Sequence, residues 1–213
     1  ALVRVSDANG VPCNALLTDM NQPIGRCIGN ALEIVESIEI LRGEGPADSW
    51  ELTEALAVRM LRLSGEARHD DEAKEAVRAV VDSGRAMARF GEMISAHGGD
   101  PRILDEPTLL PQAPQVETVT AGCVGRLTAI DAELVARAGH VVGVGRERAD
   151  QDVDPAVGVE LLVEPGDELD EAKPIARLHW RKKGRGEAID YLRQALCFDG
   201  EVRSRCGRVK AVL

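Results

Sequence analysis
The sequence runs to 213 residues, enough for one large domain or two small ones that each bury a core. A formal charge of −10 and only 2% aromatic residues exclude a general nucleic-acid binder, which needs a positive face and rings for bases to stack on. No apolar run would span a bilayer, no signal-peptide pattern opens the chain, and five cysteines without a C-x-x-C pair read as reduced thiols of a cytoplasmic protein.

In chain order, A-L-V-R-V-S reads as part of a helix that closes near Asn9-Gly10. Ala15-Leu16-Leu17 is an apolar run long enough only for a buried strand end. A polar loop follows over 18–26, punctuated by Pro23 and Gly25, and then a helix over 28–41 that Gly43, Gly45 and Pro46 stop. On that helix Ile28, Ala31, Leu32, Val35 and Ile38 form an apolar arc. Glu36 lies about 40° from Leu32, at the edge of the arc. Its i+3 and i+4 neighbours are Glu39 and Ile40, so no cation lies within helical reach on that side. Periodicity alone makes it a solvated helix edge; a buried position would demand a charge from elsewhere.

From 46 to 99 the pattern is helical. Asp48 and Glu51 suggest a capping box for a helix carrying Leu52, Ala55, Leu56, Met60 and Leu63, stopped at Gly65. A second helix carries Ala73, Ala76, Val77 and Val80 up to Gly84, and a third carries Met87, Phe90 and Ile94 before Gly98-Gly99. Arg68-His69-Asp70-Asp71-Glu72 reads as a loop and an acidic first helical turn. These helices would flank the sheet that residues 15–17 enter. Four prolines in 100–115 mark the domain boundary. Short β runs are expected beyond it at 116–120, 123–129, 140–144, 157–163 and 175–180, then a helix over 187–197 and an arginine-rich, irregular tail. The loop G-V-G-R-E-R-A-D-Q-D-V-D, 143–154, lacks the strand-to-helix context of a dinucleotide site.

Three runs within 19–46, D-M-N-Q-P-I-G-R, G-N-A-L-E and R-G-E-G-P, resemble the thymidine phosphorylase and pyrimidine-nucleoside phosphorylase family in kind and order. H-G-G-D-P-R-I-L-D-E-P-T-L-L-P-Q-A extends the likeness. E-P-G-D-E-L-D-E-A-K-P-I-A-R-L-H resembles the hairpin of biotinyl- and lipoyl-type barrel sandwiches, with Ala172 where a glycine is usual. The resemblance implies an α/β fold: the C-terminal part of a phosphorylase α/β domain, helices flanking a sheet, at 1–110, then a small β-rich barrel-sandwich (hammerhead-like) domain at 111–213. It implies phosphorolysis of thymidine or pyrimidine nucleosides to free base and (deoxy)ribose 1-phosphate, in a cytoplasmic homodimer that pairs through an N-terminal helical domain. The family's phosphate loop, K-H-S-T-G-G, does not occur here, nor does a Walker-type loop, and the chain lacks an initiator methionine. It therefore reads as the C-terminal half of such an enzyme, and no catalytic residue is assigned.

No organic cofactor is implied. A potassium ion is, held by the carbonyls of Ile24 and Cys27 and the carboxylate of Glu36, with further oxygens from the phosphate loop. The same likeness puts loop 143–154 near the cleft mouth, where Arg146 or Arg148 would close over a phosphate or a neighbouring loop. The alternative there is a glycine hairpin with solvated charges. The alternative for the whole chain is a carrier or assembly module, which would need a modified lysine at a hairpin tip. Lys173, between Ala172 and Pro174, and Lys182, between Arg181 and Lys183, fit that poorly.

Overall fold
A computed structural model describes residues 2–146, 148 and 150–213. Helix α1 (Leu2–Ala8) leads to β1 (Leu16–Thr18), then β2 (Cys27–Ile28) and α2 (Asn30–Leu41). Three helices follow: α3 (Ala47–Ser64), α4 (Asp70–Asp82) and α5 (Arg85–Ala96). The proline-rich stretch forms two 3-10 turns, Pro101–Leu104 and Pro107–Leu109. Beyond it come β3 (Gln115–Thr120), β4 (Gly125–Arg126), β5 (Ala129–Ile130), α6 (Ala132–Val142), β6 (Gly158–Leu161), β7 (Glu168–Leu169) and β8 (Pro174–Trp180). The chain finishes with α7 (Arg185–Gln194), β9 (Leu196–Cys197) and β10 (Val209–Val212).

The main sheet is antiparallel in the order β2-β6-β8-β3. Its alternating strands point Val119, Val159, Leu161, Ala176 and Leu178 inward, against Val135, Ala138, Ala188 and Leu192 from α6 and α7. This is the principal core, and Ile28 packs on it from the first part of the chain. The helical layer has a much smaller one, Val58, Ala67 and Ala73 with Leu61. The acidic turn lies where expected: Asp70, Asp71 and Glu72 open α4, and Arg59 and Arg62 pair with Asp70.

Two strands tie the chain's ends to regions remote in sequence. β2 is the edge strand of the main sheet, with Cys27 opposite Glu160 and Ile28 opposite Val159. β1 pairs antiparallel with β10, Leu16 opposite Val212. That pair is a two-stranded ribbon in which Leu17 is 51% exposed, so the expected burial of 15–17 is not met by this chain.

Two further expectations fail for physical reasons. Residues 140–144 are not a strand; they end α6, which Asp131 caps by accepting from the Leu134 N–H at 2.9 Å. The signal was an aspartate N-cap followed by Leu134, Val135, Ala138 and Val142 at helical spacing, which the valine pair at 141–142 masked. The Asp48–Glu51 capping box is also absent. α3 starts at Ala47 with Pro46 as N-cap and no side-chain cap, because both carboxylates are engaged by the C-terminal tail.

Candidate functional site
The site is built where loop 19–26 turns back between α2, α3 and the C-terminal tail. Arg26 begins it: its carbonyl accepts from the Leu161 N–H at 2.8 Å, pinning the loop's end to β6. Antiparallel neighbours alternate between pairs that face one another with their polar groups and pairs that face away. Position 26 bonds to 161, so at Cys27, opposite Glu160, the N–H and carbonyl turn away from β6 toward the sheet's outer edge. Glu36 stands on that side.

Glu36 is buried, 7% exposed, which overturns the solvated-edge reading that periodicity alone favours. Helical spacing does not supply its partners; the loop does. The Arg26 N–H donates to Oε1 at 2.7 Å, the Cys27 N–H also donates to this carboxylate, and the Arg26 Nε is 3.9 Å away. Burial raises the Glu36 carboxyl above the usual range, the Arg26 and Cys27 amides and the Arg26 charge oppose the rise, and Asp48 adds to it. Burial and the neighbouring carboxylates, Glu36 first and then Glu160, push the Cys27 thiol up to about 12, so it stays protonated and inert at neutral pH. Gly25 makes the approach feasible. Its φ is +69°, and a Cβ there would overlap the Glu36 carboxylate and come within 2.9 Å of the Ser49 Oγ.

The residues fit a monovalent cation in part. The Glu36 carboxylate and the outward-facing Cys27 carbonyl offer hard oxygens with a single full charge. Cys27 and Glu36 come together as expected. Ile24 lies in the same turn, between Pro23 and Gly25, whose carbonyls both accept from Arg205. Among the described residues, no three His, Cys, Asp or Glu side chains group as ligands for a metal ion.

Arg148, the second arginine expected at the cleft mouth, turns to its own loop. Arg148 pairs with Asp150 in its own loop, Nε to Oδ1 at 3.0 Å, while Arg146 also makes a polar contact; residues 147 and 149 lie outside the described set. The loop's far end is anchored: Asp154 binds Arg181 at 2.8 Å, and the Pro155 carbonyl accepts from the Ala31 N–H at the start of α2.

Sequence reasoning missed the most buried ion pair among the described residues. Asp48 and Arg208 are each 3% exposed, and Arg208 Nη2 donates to Asp48 Oδ2 at 2.9 Å. Arg205 donates to the same oxygen at 3.1 Å, and the Gly25 N–H to it at 3.2 Å. The available signal was a pair of arginines three apart in a tail with no regular pattern, which a local reading could only call irregular.

A profile described as "Glycosyl transferase family, a/b domain" matches residues 1–87, and one described as "Pyrimidine nucleoside phosphorylase C-terminal domain" matches 126–198. The pyrimidine-nucleoside phosphorylase of Bacillus subtilis (strain 168) is 35% identical over 189 residues, 89% of this chain and 44% of that protein. That of Staphylococcus aureus (strain bovine RF122 / ET3-1) is 33% identical over 204 residues, 96% of this chain and 47% of that protein. The fold is thus a glycosyltransferase-type α/β domain segment followed by a phosphorylase C-terminal domain. The chain belongs to the pyrimidine nucleoside phosphorylase family, as its resemblance implies, and it spans about half the length of the curated relatives it matches.

Proposed function
We propose that this chain works as part of a pyrimidine-nucleoside phosphorylase that converts thymidine or uridine and inorganic phosphate into free base and (deoxy)ribose 1-phosphate. A phosphate oxygen bonds to the anomeric carbon as the carbon–nitrogen bond to the base breaks, and the bonding pair leaves with the base, which takes up a proton. No residue described here is assigned to those steps. Ile24, Cys27 and Glu36 would hold a potassium ion, which supplies a fixed positive charge beside the phosphate-binding portion. Arg146 and Arg148 would line the cleft mouth. The active form would be a cytoplasmic homodimer, and no helix among the described residues is long and apolar enough to cross a membrane.

The observation that carries this reading is the burial of Glu36 against the 24–27 loop, inside the stretch whose motifs resemble the family. In the same reading 1–110 is the α/β segment, and 111–213 is a barrel-sandwich module without a cofactor arm. The carrier alternative is disfavoured by Lys173. It is half-buried, and its carbonyl accepts from the Ala121 N–H at 2.9 Å, so it does not project from a free hairpin tip.

Purified chain incubated with phosphate and thymidine or uridine is expected to release no base above buffer. Joined covalently to the portion of the Bacillus subtilis relative that it does not match, it is expected to release base in a phosphate-dependent way. A lipoyl or biotinyl mass on Lys173 or Lys182 in native protein, with no base release from the joined protein, would replace this reading with the carrier one.

A further inference from the structure
The C-terminal tail makes contacts out of proportion to its irregular sequence. Residues 199–213 lie outside both matched spans, yet they close over the candidate site. Arg208 is the centre. Its Nη1 donates to the Gln22 carbonyl at 3.0 Å and the Asp19 carbonyl at 3.2 Å, and its Nη2 donates to the Pro23 carbonyl and to Asp48. One buried guanidinium thus collects three carbonyls of one loop and balances its charge on a helix. Arg205 takes the next carbonyls, Pro23 and Gly25, and shares Asp48.

Neighbouring bonds hold the two arginines in place. The Gly207 and Arg208 N–H groups donate to Glu51 at 2.8 and 3.1 Å, and the Asp19 N–H donates back to the Arg208 carbonyl at 2.9 Å. β10 continues the same segment onto β1, and upstream the Arg203 N–H donates to the Thr128 carbonyl at 2.8 Å. A loop of this length would otherwise leave its carbonyls to water and sample many shapes.

We propose that Arg205 and Arg208 are positioning residues for the candidate cation loop, and that residues 203–212 form a clamp which fixes the shape of 19–27. In this role the arginines act by holding the turn that presents Ile24 and Cys27 beside Glu36. The fork geometry matters. A guanidinium spans several acceptors in fixed directions, whereas an ammonium is a point donor on a flexible stem. The inference rests on reading 24–36 as the cation site, but it is tested on loop order without any ion, so the two fail separately.

Hydrogen exchange of this chain reads the loop directly. In Arg208→Met, amides of 19–28 are expected to lose protection by about tenfold or more, while those of β3 and β8 keep the wild-type rate. Alkylation of Cys27 at pH 8 is expected to speed up as its cover loosens, with Cys123 unchanged. Arg208→Lys is expected to behave like Arg208→Met. Arg205→Met, at a less buried position, is expected to give the same local pattern more weakly, and it serves if Arg208→Met does not fold. Wild-type exchange in 19–28 for both methionine variants would overturn the clamp, as would equal loosening of the main sheet, or full rescue by lysine.

Discussion

Replacing Asp48 by alanine is expected to cost about 3–5 kcal/mol of stability, the range for removing one partner of a buried ion pair. The loss would come mainly from what is left behind. Arg208 stays buried with its charge uncompensated, Arg205 loses the same acceptor, and the Gly25 N–H loses its bond. Urea unfolding of the purified chain measures it as a lower midpoint at unchanged slope. The double variant Asp48→Ala/Arg208→Met is expected to be more stable than the sum of the single losses, because it removes both buried charges together. A loss below about 1 kcal/mol for Asp48→Ala would place the pair among weakly contributing surface bridges and contradict its burial.

Gly25→Ala has the second-largest expected effect. The left-handed backbone costs a side chain roughly 1–2 kcal/mol, and the new Cβ overlaps the Glu36 carboxylate. Displacing that carboxylate forfeits the Arg26 N–H bond, a hydrogen bond to a charged group worth about 1.5–3 kcal/mol. A combined loss of roughly 2.5–5 kcal/mol is expected, and the same unfolding experiment reads it. Gly65, also left-handed but with open space around its Cβ position, is the control: alanine there should show the backbone part alone.

The sequence made some of this arrangement legible. Local rules found α2 to within two residues at its start, because its apolar arc and the Gly-Pro stop are both short-range signals. They also found the acidic opening of α4. Family motifs in 19–46 put the loop of Ile24 and Cys27 and the helix of Glu36 in one stretch, and the Arg26 N–H bond to Glu36 joins that loop to that helix. Most of what was illegible shares one cause: partners that lie outside the spacing of the residue's own element. Asp48 looked like a cap because aspartate and glutamate three apart normally serve a helix's own amides; here Arg208, 160 positions away, takes the carboxylate. Glu36 looked solvated because its partners are backbone amides ten positions back, outside any helical spacing. β2 is two residues long and has no strand pattern of its own, and only β6 defines it. The missed α6 is different, since its cap and period were present and the β-branched valines were weighted too heavily.

Glu36 also sets a sign that separates ion binding from plain stability. Its carboxyl is raised in the folded chain, so its favourable contribution is complete below the ordinary carboxylate value of 4.5 and is lost as pH rises through the folded value. Without an ion, Glu36→Gln is therefore expected to leave stability at neutral pH unchanged or higher. A bound cation reverses the balance, since it favours the charged form.

The measurement that tests the central claim most directly is potassium titration of base release by the joined phosphorylase, wild type against Glu36→Gln, with sodium holding the ionic strength constant. The account predicts a saturating rise with potassium in the wild type. In the variant it predicts a shift of about tenfold or more to higher potassium, as expected for loss of the one charged ligand. Base release that ignores potassium in the wild type, or identical potassium curves for the two proteins, would contradict it.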